Sequence, residues 1–163
     1  MDIENKQNLV LLISQLVQLL SEDEKTKVLT LIAGVKTKNI GLEIPVSIFR
    51  NNLSGLEAIV YYLKELQHKS ILEIAELLNR KNSTIYVTYA KAKKKIKRKL
   101  DTSDNLTIPL DIFSNRKFAV LESIVYYLKT ERKLSFKEIA LALNKSYSTI
   151  TTVNNRYLKK CQN

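Results

Sequence analysis

Between Arg80 and Lys99 the chain carries nine basic side chains and no acidic one. Ammonium and guanidinium groups at that density do electrostatic work: they neutralise phosphates and release the counterions condensed on a nucleic-acid backbone. A solvated, partly frayed helix end is the competing reading, and the two are compatible over different residues of the run. Nothing else in the sequence has reactive spacing. His68 is the only histidine and has no Cys, Asp or second His at ligand distance along the chain, so it reads as a surface residue. Cys161 is the only cysteine and reads as an incidental thiol. No glycine-rich phosphate loop, nucleophile motif or metal cluster is present, so neither an enzyme nor a cofactor is expected.

The elements that must position this cationic run precede it. Ser70 and Glu73 form a capping box, which satisfies free amides at a helix start. Ile71, Ile74, Ala75 and Leu78 then recur at helical spacing. Asn79-Arg80-Lys81-Asn82 interrupts the stripe with two asparagines, a residue type that tolerates a left-handed turn. Ser83 is the expected N-cap of a second helix whose inward face is Ile85, Tyr89, Ala92 and Ile96. If that helix continues to Leu100, the lysines cover most of its circumference. Two helices joined by so short a turn are a helix-turn-helix candidate.

Composition frames this motif. The 163 residues include only three glycines and two prolines, which disfavours a loop-rich β protein and favours an all-α one. The formal charge of +11 is unevenly placed: net −1 over residues 1–43, +7 over 44–101 and +5 over 102–163. That excess points to nucleic acid or another acidic surface as partner, against the plainer reading of a generally basic background. Residues 3–20 read as a helix with Leu9, Leu12, Ile13, Leu16, Val17 and Leu20 on one face. A second helix over about 22–33 is started by Ser21 and Glu24 and stopped at Gly34. A hairpin of this size is too small to bury its apolar surface alone. It must pack on the rest of the chain or pair with a second copy, and residues 3–33 are the expected homodimer contact. Residues 35–43 form a polar linker. The acidic start, Met1-Asp2-Ile3-Glu4, is unlike a secretory leader, and no apolar run is long enough to span a bilayer. A cytoplasmic, nucleoid-associated location without membrane contact is the expectation.

From Ile44 the sequence repeats. Ile44-Pro45 returns as Ile108-Pro109, and Ile59 to Lys64 returns unchanged as Ile124 to Lys129. Ser70, Glu73, Ile74, Ala75, Leu78 and Asn79 return as Ser135, Glu138, Ile139, Ala140, Leu143 and Asn144. The offset is 64 residues at first and 65 after an insertion near Arg116-Lys117. Pairing 57–95 with 122–160 gives about 18 identities in 39 positions. Each copy therefore has three predicted helices: about 54–67, 70–78 and from 83 in the first, and 118–131, 135–143 and from 148 in the second. Two copies are too few for a solenoid. The predicted organisation is a hairpin (1–41), a first helix-turn-helix module (44–101) and a second (106–163), with Asp101 to Asn105 as a polar linker.

Glu-Ile-Ala, Leu-Asn three residues on, Ser-Thr-Ile and a Lys-Lys pair together resemble the DNA-binding helix-turn-helix of sigma-factor region four. The resemblance covers roughly 54–99 and 118–160, with Asn in place of the usual turn glycine. It does not cover 1–43, and there is no counterpart of the region that melts promoter DNA. The arrangement also resembles small archaeal proteins with repeated modules of this kind. The resemblance implies that Ala75 and Ala140 are small because the third helix crosses above them, and that Ile85 and Ile150 plug the space between helices. It implies groove-facing residues Lys81, Asn82, Ser83, Thr84, Tyr86, Val87 and Ala90 in the first copy. In the second they are Ser146, Tyr147, Ser148, Thr149, Thr151, Thr152 and Asn155.

Asn82 and Asn155 suit adenine edges, while Val87 and the threonine methyls suit thymine methyls. Arg80 and Arg156 sit nearby, but neither set contains an arginine placed to read guanine, so A/T preference or weak discrimination is expected. Lys91, Lys93, Lys94, Lys95 and Lys97 are the expected phosphate contacts. The second copy has only Arg156, Lys159 and Lys160 there, and weaker binding is expected of it. The function expected is double-stranded DNA binding in a transcription regulator or nucleoid-associated protein. The alternative is an adaptor whose modules bind protein, for instance RNA polymerase.

Overall fold

The computed structural model describes residues 18–25 and 42–162. Most of the hairpin expected over 3–20 and 22–33, its Gly34 stop and most of the 35–43 linker lie outside them. Within 18–25, Ser21 and Glu24 do form a capping box, with the Ser21 amide donating to Glu24 Oε2 at 2.9 Å. Residues 41–163 form a separate unit, to which everything below refers.

That unit is two copies of one pattern: a short strand, a 3-10 helix and three α-helices. The first copy holds β1 (Glu43–Pro45), η1 (Val46–Arg50), α1 (Gly55–Glu65), α2 (Ile71–Leu77) and α3 (Asn82–Lys95). The second holds β2 (Thr107–Pro109), η2 (Leu110–Phe113), α4 (Val120–Thr130), α5 (Phe136–Leu143) and α6 (Tyr147–Gln162). The chain is thus mostly helical, as composition predicts, with a two-stranded sheet added at the point where Pro45 and Pro109 force extended backbone.

Local chemistry sets the helix ends. Ser54, Ser70 and Ser135 each accept from the amide three residues on, and the glutamate there reaches back to the serine amide. At α4 only half of this device survives. Ala119 has no hydroxyl to offer, and its amide alone donates to Glu122 at 2.8 Å. Asn79 and Asn144 adopt φ of 51°, and the amides that follow them close onto the Ala75 and Ala140 carbonyls at 2.8 and 2.9 Å. Asparagine therefore does fill the left-handed position of the turn. His68 and Lys133 are also left-handed, at the exits of α1 and α4.

The core is continuous across both copies. Ala58, Ile59, Leu63, Ile74, Leu78 and Ile85 are buried in the first, and Ile124, Leu128, Ile139, Leu143 and Ile150 in the second. In both copies the third helix packs across the first and second. Ile85 and Ile150 are wholly buried, and Ala75 and Ala140 nearly so, which agrees with their expected plug and crossing positions.

The copies meet through equivalent residues. Ile44 pairs with Ile108 in the antiparallel ladder, Glu43 with Pro109, and Pro45 with Thr107. The amide of Val46 donates to Leu106 O, and that of Leu110 to Leu42 O, both at 2.9 Å. Phe49 and Phe113 meet at 6.3 Å between ring centroids. A Cβ on Gly55 would lie 2.7 Å from Val120 Cγ1, its own counterpart in the repeat. The connector pieces cross over as well: η1 packs on α5, and Arg50 Nε donates to Ala142 O at 2.7 Å. Segments 101–105 and 44–50 are tied together, since Ser47 Oγ donates to Asp101 O and Arg50 pairs with Asp104 at 2.6 Å.

Candidate nucleic-acid interface

The α2–α3 turn and the first turn of α3 form an open polar surface. Lys81, Asn82, Ser83, Thr84, Tyr86 and Val87 are all exposed, and Ala90 is half-buried. Tyr86 and Val87 are 65% and 49% exposed and place apolar surface among these polar groups. One local expectation changes. The N-cap of α3 is Lys81, with no side-chain cap, and Ser83 sits inside the first helical turn. The amides of that turn therefore lack the side-chain acceptor that Ser70 gives α2, and they leave positive partial charge at the helix start.

The lysine run divides into three kinds of residue. Helix α3 ends at Lys95, and Ile96 turns extended at φ −75°, ψ 121°, so the helix does not reach Leu100. Leu100 is buried instead, pinning the extended segment onto the core. Lys91, Lys93 and Lys94 therefore lie on the helix, whereas Lys97, Arg98 and Lys99 lie on the segment beyond it. That segment lines a cleft of about 500 Å³ together with Arg50, Asn51, Asn52 and Leu53. Among the described residues, no carboxylate is within ion-pair distance of Lys81, Lys91, Lys93, Lys94, Lys97, Arg98 or Lys99.

Lys95 differs from these. Its ammonium lies 2.7 and 2.9 Å from the two oxygens of Glu57, whose side chain is only 7% exposed. Burial pushes the Glu57 carboxyl up, but the Lys95 ammonium and the Ser54 amide outweigh it and hold the group below its usual range. Lys95 is an internal anchor fixing the end of α3 to the start of α1. Lys160 and Glu122 repeat the pair in the second copy at 2.7 Å, and Glu122 is likewise held low against the effect of burial.

Arg80 is also not a free contact. It is half-buried under the turn, and its Nε has no hydrogen-bond partner among the described residues. Burial and the nearby Arg116 both lower its guanidinium pKa. The exposed α3 tyrosine, Tyr86, and the half-buried one, Tyr89, play separate parts. Tyr89 stacks toward Tyr61 and donates to Glu65, which pushes its phenol up to about 12.

The second copy displays a different face. Ser146, Tyr147, Ser148, Thr152, Asn155, Arg156 and Lys159 are exposed, and Thr149 and Thr151 are half-buried. Several hydroxyls are already engaged. Ser146 accepts from the Thr149 amide at 3.2 Å, and Thr151 donates to its own helix at Ser148 O, 3.0 Å. Tyr147 leans edge-on against Phe136. At the far end of α6, Tyr157 is sandwiched between Phe118 and Tyr126, each 4.0 Å away, where the first copy has only Ala92. This stack fixes α6 and was not legible in the sequence, because it joins residues far apart along the chain; Phe118, expected to begin the first helix of the copy, lies just before α4. The Glu57–Lys95 and Glu122–Lys160 pairs were also missed. Their identity between the copies was the available signal.

A short helix, a left-handed turn and a longer helix whose cationic surface has no carboxylate partner among the described residues fit a helix-turn-helix of the nucleic-acid-binding kind. The comparisons with known families agree for the first copy: residues 51–96 match the family described as Sigma-70, region 4. That segment is similar to sigma region four, a helix-turn-helix DNA-binding domain. No significant match to a curated protein or to a solved structure was found. Among the described residues, no helix is long and apolar enough to cross a membrane.

Proposed function

We propose that the chain binds double-stranded DNA through two helix-turn-helix modules, residues 44–101 and 106–163, as a transcription regulator or nucleoid-associated protein. The observation that carries this is the surface of the matched segment. Six side chains at the start of α3 are exposed beside cations that have no carboxylate partner among the described residues. Such cations supply salt-dependent phosphate affinity, and the exposed side chains of Asn82, Tyr86 and Val87 carry groups suited to base edges. The first module is the stronger binder, because the second has fewer free cations. Residues 3–33 are the proposed homodimer element, on the strength of their neutral charge and apolar stripe.

A second reading, an adaptor that docks RNA polymerase or another protein, is favoured by one feature of the second module. Leu141 of α5 is 80% exposed among the described residues. Charge reversal at Lys93, Lys94 and Lys97 separates the readings, with Lys95 left intact because its loss would unfold an anchor. A DNA binder loses most of its affinity for duplex. An adaptor working through apolar helix faces keeps its protein partner and shows no duplex affinity to lose.

A further inference from the structure

The two copies are related by an internal two-fold axis rather than by translation, and this fixes how they face a partner. Three self-pairings lie on that axis: Ile44 with Ile108 in the antiparallel ladder, Phe49 with Phe113, and Gly55 with Val120. Around it the contacts are reciprocal. Val46 donates to Leu106 and Leu110 to Leu42, the same bond with the copies exchanged. Arg50 reaches the end of α5 at Ala142, and Asn79 at the end of α2 reaches Ser114. A surface that meets itself in this way is the isologous arrangement of a two-fold dimer, here built within one chain. The buried ladder, the shared core and the Gly55–Val120 approach leave the copies no freedom to turn relative to one another.

A two-fold axis carries α3 onto α6 with the direction of reading reversed. We infer that a single chain reads a quasi-palindromic duplex: two half-sites in inverted orientation and at one fixed spacing, with different sequences because the two faces differ. The inference rests on the DNA-binding reading. It also removes the need for a second chain to supply the second half-site. The mirror of protein symmetry in operator symmetry follows for any pair of helix-turn-helix units so related. Direct repeats suit modules joined by a flexible linker, and the linker here is pinned at Asp101 and Asp104.

The test is selection of bound duplexes from a random library, on the intact chain and on a variant with matched faces. Ser146→Lys, Tyr147→Asn, Thr151→Tyr, Thr152→Val and Asn155→Ala give α6 the face of α3 at positions that are exposed or half-buried. The selected site of this variant is expected to become a near-perfect inverted repeat. For the intact chain, whose folding is not in question, two unlike half-sites are expected, and reversing one of them weakens binding about tenfold or more. Selection of a direct repeat, of a lone motif, or of variable spacing overturns the inference while leaving DNA binding in place. No duplex retained at low salt overturns the DNA-binding reading itself, and the inference with it.

Discussion

Replacing Lys95 with methionine distinguishes an anchor from a phosphate contact in a stretch where the sequence shows only one lysine after another. Both oxygens of Glu57 bind the Lys95 ammonium, at 2.7 and 2.9 Å, and the carboxylate is almost fully buried. Without Lys95 that carboxylate is left with Ser54, whose amide donates to it at 2.8 Å. Losing one partner of a buried ion pair costs about 3–5 kcal/mol. The Lys95 side chain is 49% exposed, however, so screening reduces the figure. About 2 kcal/mol remains, comparable to a charge-assisted hydrogen bond. For a chain of this size that is a fall of about 4–8 °C in Tm.

Urea unfolding of Lys95→Met, Glu57→Gln and the double variant should give a coupling of about 1–2 kcal/mol. In DNA titrations Lys95→Met should leave the salt slope unchanged, whereas Lys94→Met should reduce it by about 0.9 and alter stability by less than about 0.5 kcal/mol. Additive stability effects at Lys95 and Glu57, or a salt slope that falls equally in both lysine variants, would refute the anchor assignment.

Further predictions follow from the core and its ion pairs. Glu57 and Glu122 are held below their unfolded carboxyl value of about 4.3. Their contribution is therefore complete above that pH and lost as pH falls through the lower folded value; the urea midpoint should drop there, and less so in Glu57→Gln/Glu122→Gln. Gly55→Ala drives a methyl against Val120 and should cost about 1–3 kcal/mol, with Val120→Ala restoring much of it in the double variant. Ile85→Ala removes a wholly buried side chain and should cost about 2–5 kcal/mol. Because the core is shared, calorimetry on Ile85→Ala should show one lowered transition for residues 42–162, not a damaged module melting beside an intact one.

The individual elements were largely legible in the sequence. Ser70 with Glu73 and Ser135 with Glu138 announce helix starts through side chains that bond their own backbone. The stripe Ile74, Ala75, Leu78 follows a period that only a helix buries on one face. Asn79 and Asn144 mark the turn because few side chains accept a left-handed backbone. Ser83 shows the limit of such signals: a serine ahead of an apolar stripe reads as a cap, yet the helix starts two residues earlier at Lys81, with Ser83 inside the first turn and Ile85 buried. The helix end at Lys95 was hidden in the same way. Lys97 to Lys99 have ordinary helix propensity, but burial of Leu100 required an extended segment before it. The joining of the copies was beyond reach, since it depends on contacts between residues 64 and 65 positions apart that no local pattern encodes. Of the α3 residues expected to face a groove, Lys81, Asn82, Ser83, Thr84, Tyr86 and Val87 are exposed and Ala90 is half-buried. The withdrawal of Lys95 and the burial of Arg80 were not foreseen, because both follow from what lies across the fold.

The central claim is tested most directly by titrating the intact chain with a labelled random-sequence duplex at two salt concentrations. Binding at low salt is expected, with log K falling linearly in log salt, steeply enough for several phosphate contacts at about 0.9 each. Absence of binding at low salt, or an affinity indifferent to salt, would contradict it.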